Sequence, residues 1–295
     1  MKEQRWSRDE LVTQVRAFER ELRAAGLSKH TVSTYVGRVD TFVRWLQGNY
    51  KPVGPNSASA KPVANRATEG QILLNKLAHS LSANQISRIL ASYAEITAYD
   101  ASLSNLYAKT GGNTPDLSIA ADRTSVIEWL RGWGCRHLRR SDTVKTSKAL
   151  AAWWAKWAPC LPGKPVTITQ LTPNDLDTIA LAYEELRTCK AASRSLRDRD
   201  VEVLFGPTAA AKTLFVVRPN ACLPWDDPIR LAFGLNEGAG PAYAEFVDRA
   251  STAVGTLASR LGIKVQQLPI RLNRPHSTPA KIIDEYLWVK ITRGL

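Results

Sequence analysis

The chain has little of what builds a metal, redox or membrane site. Only four of its 295 residues are cysteine, Cys135, Cys160, Cys189 and Cys222, and they are scattered with no CxxC pair. That spacing excludes a zinc ribbon, a thioredoxin motif and a four-cysteine iron–sulfur run, and it points to a reducing compartment. The four histidines have no partner at ligand spacing, so neither a metal nor another cofactor is expected. No apolar run approaches the roughly 18 residues of a membrane span. The opening MKEQRWSRDELVTQ is charged where a signal peptide would be apolar. A cytoplasmic protein with no membrane partner is the expectation. GxxxxGK, GxGxxG after a strand, HExxH and GxSxG are all missing, which argues against nucleotide hydrolysis, zinc proteolysis and α/β-hydrolase chemistry.

Positive charge, by contrast, is abundant. Forty Lys+Arg against 27 Asp+Glu leave a net charge of +13, which suits a partner carrying dense negative charge. With 44% hydrophobic and 23% charged residues, the chain is too apolar to be mainly disordered.

Apolar residues recur at helical spacing through most of the sequence. Leu11, Val15, Phe18 and Leu22 predict a first helix ending at Gly26. A second, opened by Ser28, runs through Val32, Val36, Val39 and Val43, so residues 1–50 read as a basic helical hairpin. Residues 51–66, with Pro52, Pro55 and Pro62 among small polar residues, read as a linker. Residues 67–295 form the core. There, Ser125 and Glu128 have capping-box spacing, Asp142 can open a helix, and Thr172-Pro173 is a cap followed by proline at the first helical position. Only Val166–Thr169 and Lys264–Leu272 look extended. The predicted fold class is all-α. The segment FERELRAAGLSKHTVSTYVGRVDTFVRWL in the arm resembles the first hairpin of the SAM-like core-binding domain of tyrosine recombinases, which grips DNA.

The most constrained segment is LFGPTAAAKTLFVVRPNACLPWDDPIRLAFG, residues 204–234. It opens on a Gly-Pro turn and ends in two aspartates before Pro228. Read plainly, Asp227 caps the helix begun by Pro228, and Asp226 sits at its positive end. The whole segment also resembles the helix-hairpin-helix DNA glycosylase superfamily, in which a Gly-containing hairpin and an apolar helix lead to a Pro-rich loop and a catalytic Asp. Asp226 follows Gly206 by 20 residues, the family's interval, and Pro224-Trp225-Asp226 with Ile229-Arg230 is similar to its stretch around that Asp. The hairpin reads Leu204-Phe205-Gly206-Pro207-Thr208, so the family's first glycine is missing, and its lyase-lysine position falls on Thr208.

The resemblance implies a helical-bundle core of helix-hairpin-helix glycosylase type. It implies a monofunctional enzyme, a monomer acting on double-stranded DNA, which flips out a modified or damaged base and hydrolyses its glycosidic bond with water. A bulky modified cytosine of phage DNA, in antiviral defence, is the setting it suggests. Asp226 would be the catalytic carboxylate, with Asp227 the neighbour that a one-residue shift would substitute. Gly206, Pro207, Thr208, Ala209, Lys212, Arg194, Arg197 and Arg230 would meet the DNA backbone, the arginines before Gly206 lying in a loop. Trp133, Trp225 and His137 would line the base pocket. Arg136, Arg139 and Arg140, and separately Arg271, Arg274 and His276, form further basic patches.

Two other readings use the same residues. In one, the protein binds DNA without catalysis and the aspartates are caps. In the other it is a degenerate recombinase-like accessory protein, since His276 and Tyr286 lie ten apart as a late histidine and nucleophilic tyrosine do in that family. The second lacks an HxxR box, and Tyr286 falls on an apolar stripe with Ile282, Ile283 and Val289.

Overall fold

The computed structural model describes residues 8–26, 39, 68–196 and 199–295. The second arm helix and the linker at 51–66 lie outside the described residues. The chain divides into two units, residues 1–66 and 67–295. In the first, the predicted helix spans Arg8–Ala24 (α1) and stops before Gly26.

The second unit is mostly helical. Three helices lead in, α2 (Glu69–His79), α3 (Ala83–Ile96) and α4 (Tyr99–Lys109). Ser82 opens α3 with a capping box, its side chain and that of Gln85 each holding the other's backbone N–H. Next come α5 (Ala120–Gly132), α6 (Thr143–Trp157) and α7 (Pro173–Thr188). Thr172 caps α7 with Asp175, as its sequence predicts. Ser125 does not cap α5. The helix begins five residues earlier, because Asp122 and Asp116 hold the preceding turn: Asp122 accepts the Asp116 N–H at 2.8 Å, and Asp116 accepts the Ser118 N–H at 2.9 Å.

Among the described residues, paired strands occur at one place, and it is not either predicted run. Ile168–Gln170 and Val265–Gln267 are 3₁₀ turns. Strands β1 (Lys190–Leu196) and β2 (Arg199–Leu204) instead pair as an antiparallel ribbon with a bulge between Lys190 and Ala192, and a Lys190–Glu202 ion pair at 2.8 Å crosses it. Arg194 therefore stands on a strand and not in a loop; Arg197 lies outside the described residues. The ribbon closes at its base, where the Phe205 N–H donates to Cys189 O at 2.8 Å and the Gly206 N–H to Arg187 O at 2.9 Å. The helix after it, α8 (Pro207–Val217), thus meets α7 as directly as if the ribbon were absent.

The remaining helices are α9 (Asp227–Ala232), α10 (Gly240–Arg260), the short α11 (Leu268–Arg271) and α12 (Pro279–Leu287), which continues as a π-helical turn at Trp288–Thr292. α10 packs on α7 and α2. Its first residue must be small, since a Cβ on Gly240 would lie 2.2 Å from the Ala180 carbonyl oxygen. Every residue of α12 is buried, and the helix packs against α2, α3 and α10. Tyr286 is among them, fully covered within the apolar stripe. No helix among the described residues is long and apolar enough to cross a membrane.

Candidate functional site

Asp226 is the N-cap of α9, its Oδ1 accepting the Ile229 N–H at 3.0 Å. The cap therefore falls one residue earlier than Asp227. An extended backbone at Asp226 (φ −114°, ψ 175°) frees its carboxylate to reach back over the helix, while Asp227 and Pro228 supply the first turn. Asp227 points to solvent and pairs with Arg230 at 3.1 Å. The two aspartates are thereby separated, and only Asp226 faces a cavity.

That cavity is a pocket of about 50 Å³. Its aromatic walls are Tyr93, Tyr99, Trp133, Trp225 and Trp288, with Pro224, and its polar groups are Asp226, Asp284 and Lys212. Four of the sequence-predicted residues meet here: Asp226, Trp133, Trp225 and Lys212, the last expected at the DNA backbone instead. Trp225 is held by an aromatic stack, its ring 5.4 Å from Phe246 and 5.2 Å from Tyr243, and its Nε1 donates to the Tyr183 hydroxyl at 3.2 Å. Trp133 stacks on Trp129 at 6.1 Å and donates Nε1 to Ser102 Oγ at 2.8 Å. Both rings are fixed before any guest arrives.

Burial and its neighbours pull the Asp226 carboxyl in opposite directions. Burial raises its carboxyl above the ordinary range, opposed by the Ile229 N–H, the Lys212 ammonium and the Thr292 hydroxyl, which lies 3.4 Å from Oδ2. Burial likewise pushes the Tyr93 and Tyr99 hydroxyls up, so both stay neutral, and the Tyr99 hydroxyl has no hydrogen-bond partner.

Other expected positions are used differently. Lys212 turns into the pocket and donates to the Trp133 carbonyl, so it is not an outward phosphate contact. Arg230 spends its guanidinium on the Asn236 and Leu235 carbonyls and on Asp227, closing the loop after α9. Arg274, from the third basic patch, pairs with Glu285 and Asp100. His137 does not line the pocket; its Nε2 lies 2.8 Å from Phe205 O and braces the turn before Gly206. Gly206 caps α8 at φ +80°, with its N–H bound to Arg187 O. Pro207 has no N–H, which leaves the amides of Thr208 and Ala209 as donors at the helix's positive end.

Four pocket residues escaped sequence reasoning: Tyr93, Tyr99, Asp284 and Trp288. Tyr93 and Trp288 sit on helical apolar stripes that read as plain core, and nothing in the spacing of Lys281, Asp284 and Glu285 separates buried charges from solvated ones. A larger open cleft of about 340 Å³ between α4 and α5 holds a surface Lys109–Glu128 ion pair at 3.3 Å and no buried carboxylate, so the smaller pocket is the better chemical site. Among the described residues no group of three or more His, Cys, Asp or Glu side chains converges as metal ligands would.

Comparisons with protein families, curated proteins and solved structures give no match.

Proposed function

We propose that the protein is a monofunctional DNA glycosylase that flips a modified or damaged base from double-stranded DNA into the Asp226 pocket and hydrolyses its glycosidic bond. One observation carries the reading. Asp226, at the resemblance's interval from Gly206, lies in an aromatic-lined pocket with Trp133 and Trp225, whereas Asp227 faces away. The closed base of the β-ribbon supports it too, because α7, the Gly206 turn and α8 then follow one another as helix, hairpin and helix do in that superfamily, with the ribbon inserted.

The chemistry follows from the residues. As the bond from C1′ to the base nitrogen breaks, its electron pair leaves with the base and positive charge grows on the sugar. A fixed Asp226 carboxylate beside C1′ stabilises that charge. Water then bonds to C1′ and its proton passes, through Asp226 or solvent, to the departing base. Lys212 and the Ile229 N–H favour the ionised carboxylate that this step needs. The amide of Thr208, at the start of α8, is suited to a DNA phosphate, whereas Ala209 is buried, and the net charge of +13 is suited to salt-sensitive binding.

A specific observation favours a second reading, a DNA-binding protein without turnover: Asp226 is the N-cap of α9. The two readings part in one experiment. Ordinary, damaged and hypermodified phage DNA are incubated with the protein and with Asp226→Asn, and nicks are counted before and after alkali or an abasic endonuclease. Nicks that need alkali or the endonuclease, on one class of DNA and lost in the variant, support the glycosylase. Intact DNA throughout, with salt-sensitive binding by both proteins, supports the binder.

A further inference from the structure

α12 carries three charged residues in a helix that is buried throughout, Lys281, Asp284 and Glu285. Buried ion pairs seldom stabilise a fold more than apolar residues of the same volume would, so each needs a reason. Glu285 has a structural one. It accepts from Arg274 Nε at 2.8 Å, Arg274 Nη2 at 2.9 Å and Ser277 Oγ at 3.0 Å, and it lines no cavity. Asp284 is different, for Lys281 engages its Oδ2 and the side chain forms part of the Asp226 pocket wall.

We propose that this pocket takes a nucleobase bearing an exocyclic amino group, of the cytosine or adenine class, and that Asp284 is the acceptor that selects it. The proposal rests on the glycosylase reading. The flat aromatic walls suit a heterocycle, and the polar end decides which one. Lys281 also donates to the Tyr93 hydroxyl at 2.9 Å and lies over the Tyr93 and Tyr99 rings, at 4.4 and 4.1 Å. Burial works against its ammonium, but Asp284, with Glu285 and Tyr99, outweighs it and holds the ammonium above the usual range. Burial raises the Asp284 carboxyl, and the Lys281 ammonium in contact with it opposes that rise; the carboxylate that this contact favours only accepts, which welcomes an amino group and opposes a carbonyl oxygen. Tyr99 lines the same pocket, and its buried hydroxyl has no hydrogen-bond partner.

At about 50 Å³ the pocket has room for only a few waters, so a base enters by displacing a wall. The π-helical turn Trp288–Thr292 borders the pocket twice, supplying the Trp288 wall and the Thr292 contact to Asp226. Such turns are frequent at functional sites.

The test titrates the full chain with free cytosine, adenine, uracil and thymine, reading tryptophan fluorescence because Trp133, Trp225 and Trp288 line the pocket. The expected result is binding of cytosine and adenine about tenfold or more tighter than uracil and thymine, the discrimination of one good hydrogen-bonded contact. Asp284→Asn, whose amide can also donate, should lose that preference and gain affinity for uracil. Equal binding of all four bases, binding of none, or a preference unchanged in Asp284→Asn overturns the proposal. If the variant does not fold, the wild-type ranking decides alone. The amino preference without nicking of any DNA would sink the glycosylase reading and leave the pocket assignment standing. Nicking confined to uracil- or thymine-type bases would do the reverse.

Discussion

Asp226 Oδ1 accepts the Ile229 N–H at 3.0 Å, so the carboxylate that faces the pocket is also the one that caps α9. Capping and chemistry can be separated by substitution. Asn caps a helix about as well as Asp, whereas Ala loses about 1 kcal/mol at such a position. Below about pH 4, where the wild-type carboxyl is protonated, Asp226→Asn should therefore match the wild type in urea denaturation to within a few tenths of a kcal/mol, yet at neutral pH lose nicking by about 10²-fold or more. Asp226→Ala should lose both. If Asp226→Asn turned over at the wild-type rate, Asp226 would be a cap and nothing more.

A second prediction concerns pH. Burial holds the Asp226 carboxyl above its unfolded value of 3.8, so the folded state keeps a proton that the unfolded chain releases. The stability this contributes is fully present below about pH 4 and is lost as pH rises through the folded value. Asp226→Asn cannot ionise and escapes that loss. In paired thermal melts from acid to neutral pH, the midpoint of the variant should climb relative to wild type as the pH increases. A difference that fell across the same range would mean the pocket prefers the charged carboxylate.

Helices with a strong apolar stripe or a clear start signal were legible from sequence, as in α10 and in Thr172-Pro173 at the head of α7. Asp226 was legible as a helix-start residue beside a tryptophan. The β-ribbon was not, because KAASRSL has almost no β-branched or aromatic residues and is held by its pairing with β2. Lys212 and Arg230 resembled phosphate contacts for a simple reason: a long cation reads the same whether it meets solvent or bends back to a carbonyl, and both bend back. Asp284 joined the pocket only through tertiary packing, which buries all faces of α12.

Gly206 gives the third prediction. Its backbone, at φ +80° and ψ 165°, lies in a region essentially reserved for glycine, and the nearest side-chain atom to an added Cβ is His137 Nε2 at 4.0 Å. Gly206→Ala therefore meets backbone strain without a clash and should destabilise the protein by about 1–3 kcal/mol. Urea denaturation measures it. A loss near zero would mean that the turn between the ribbon and α8 relaxes freely.

The Tyr183 hydroxyl ties the pocket's back wall to three segments at once. It accepts from Trp225 Nε1 at 3.2 Å and shares its single proton between the carbonyls of Gly238 and Pro207, at 3.2 and 3.3 Å. Tyr183→Phe keeps the ring, stacked 4.4 Å from Tyr243, and removes only the hydroxyl. A buried indole N–H is then left without its acceptor, at a cost of about 1–3 kcal/mol. Denaturation should register that loss. Because the same bond orients Trp225 beside Asp226, turnover should fall further than the lost stability accounts for at temperatures where the variant is fully folded. Loss of stability with unchanged turnover would make Tyr183 a support for the core alone.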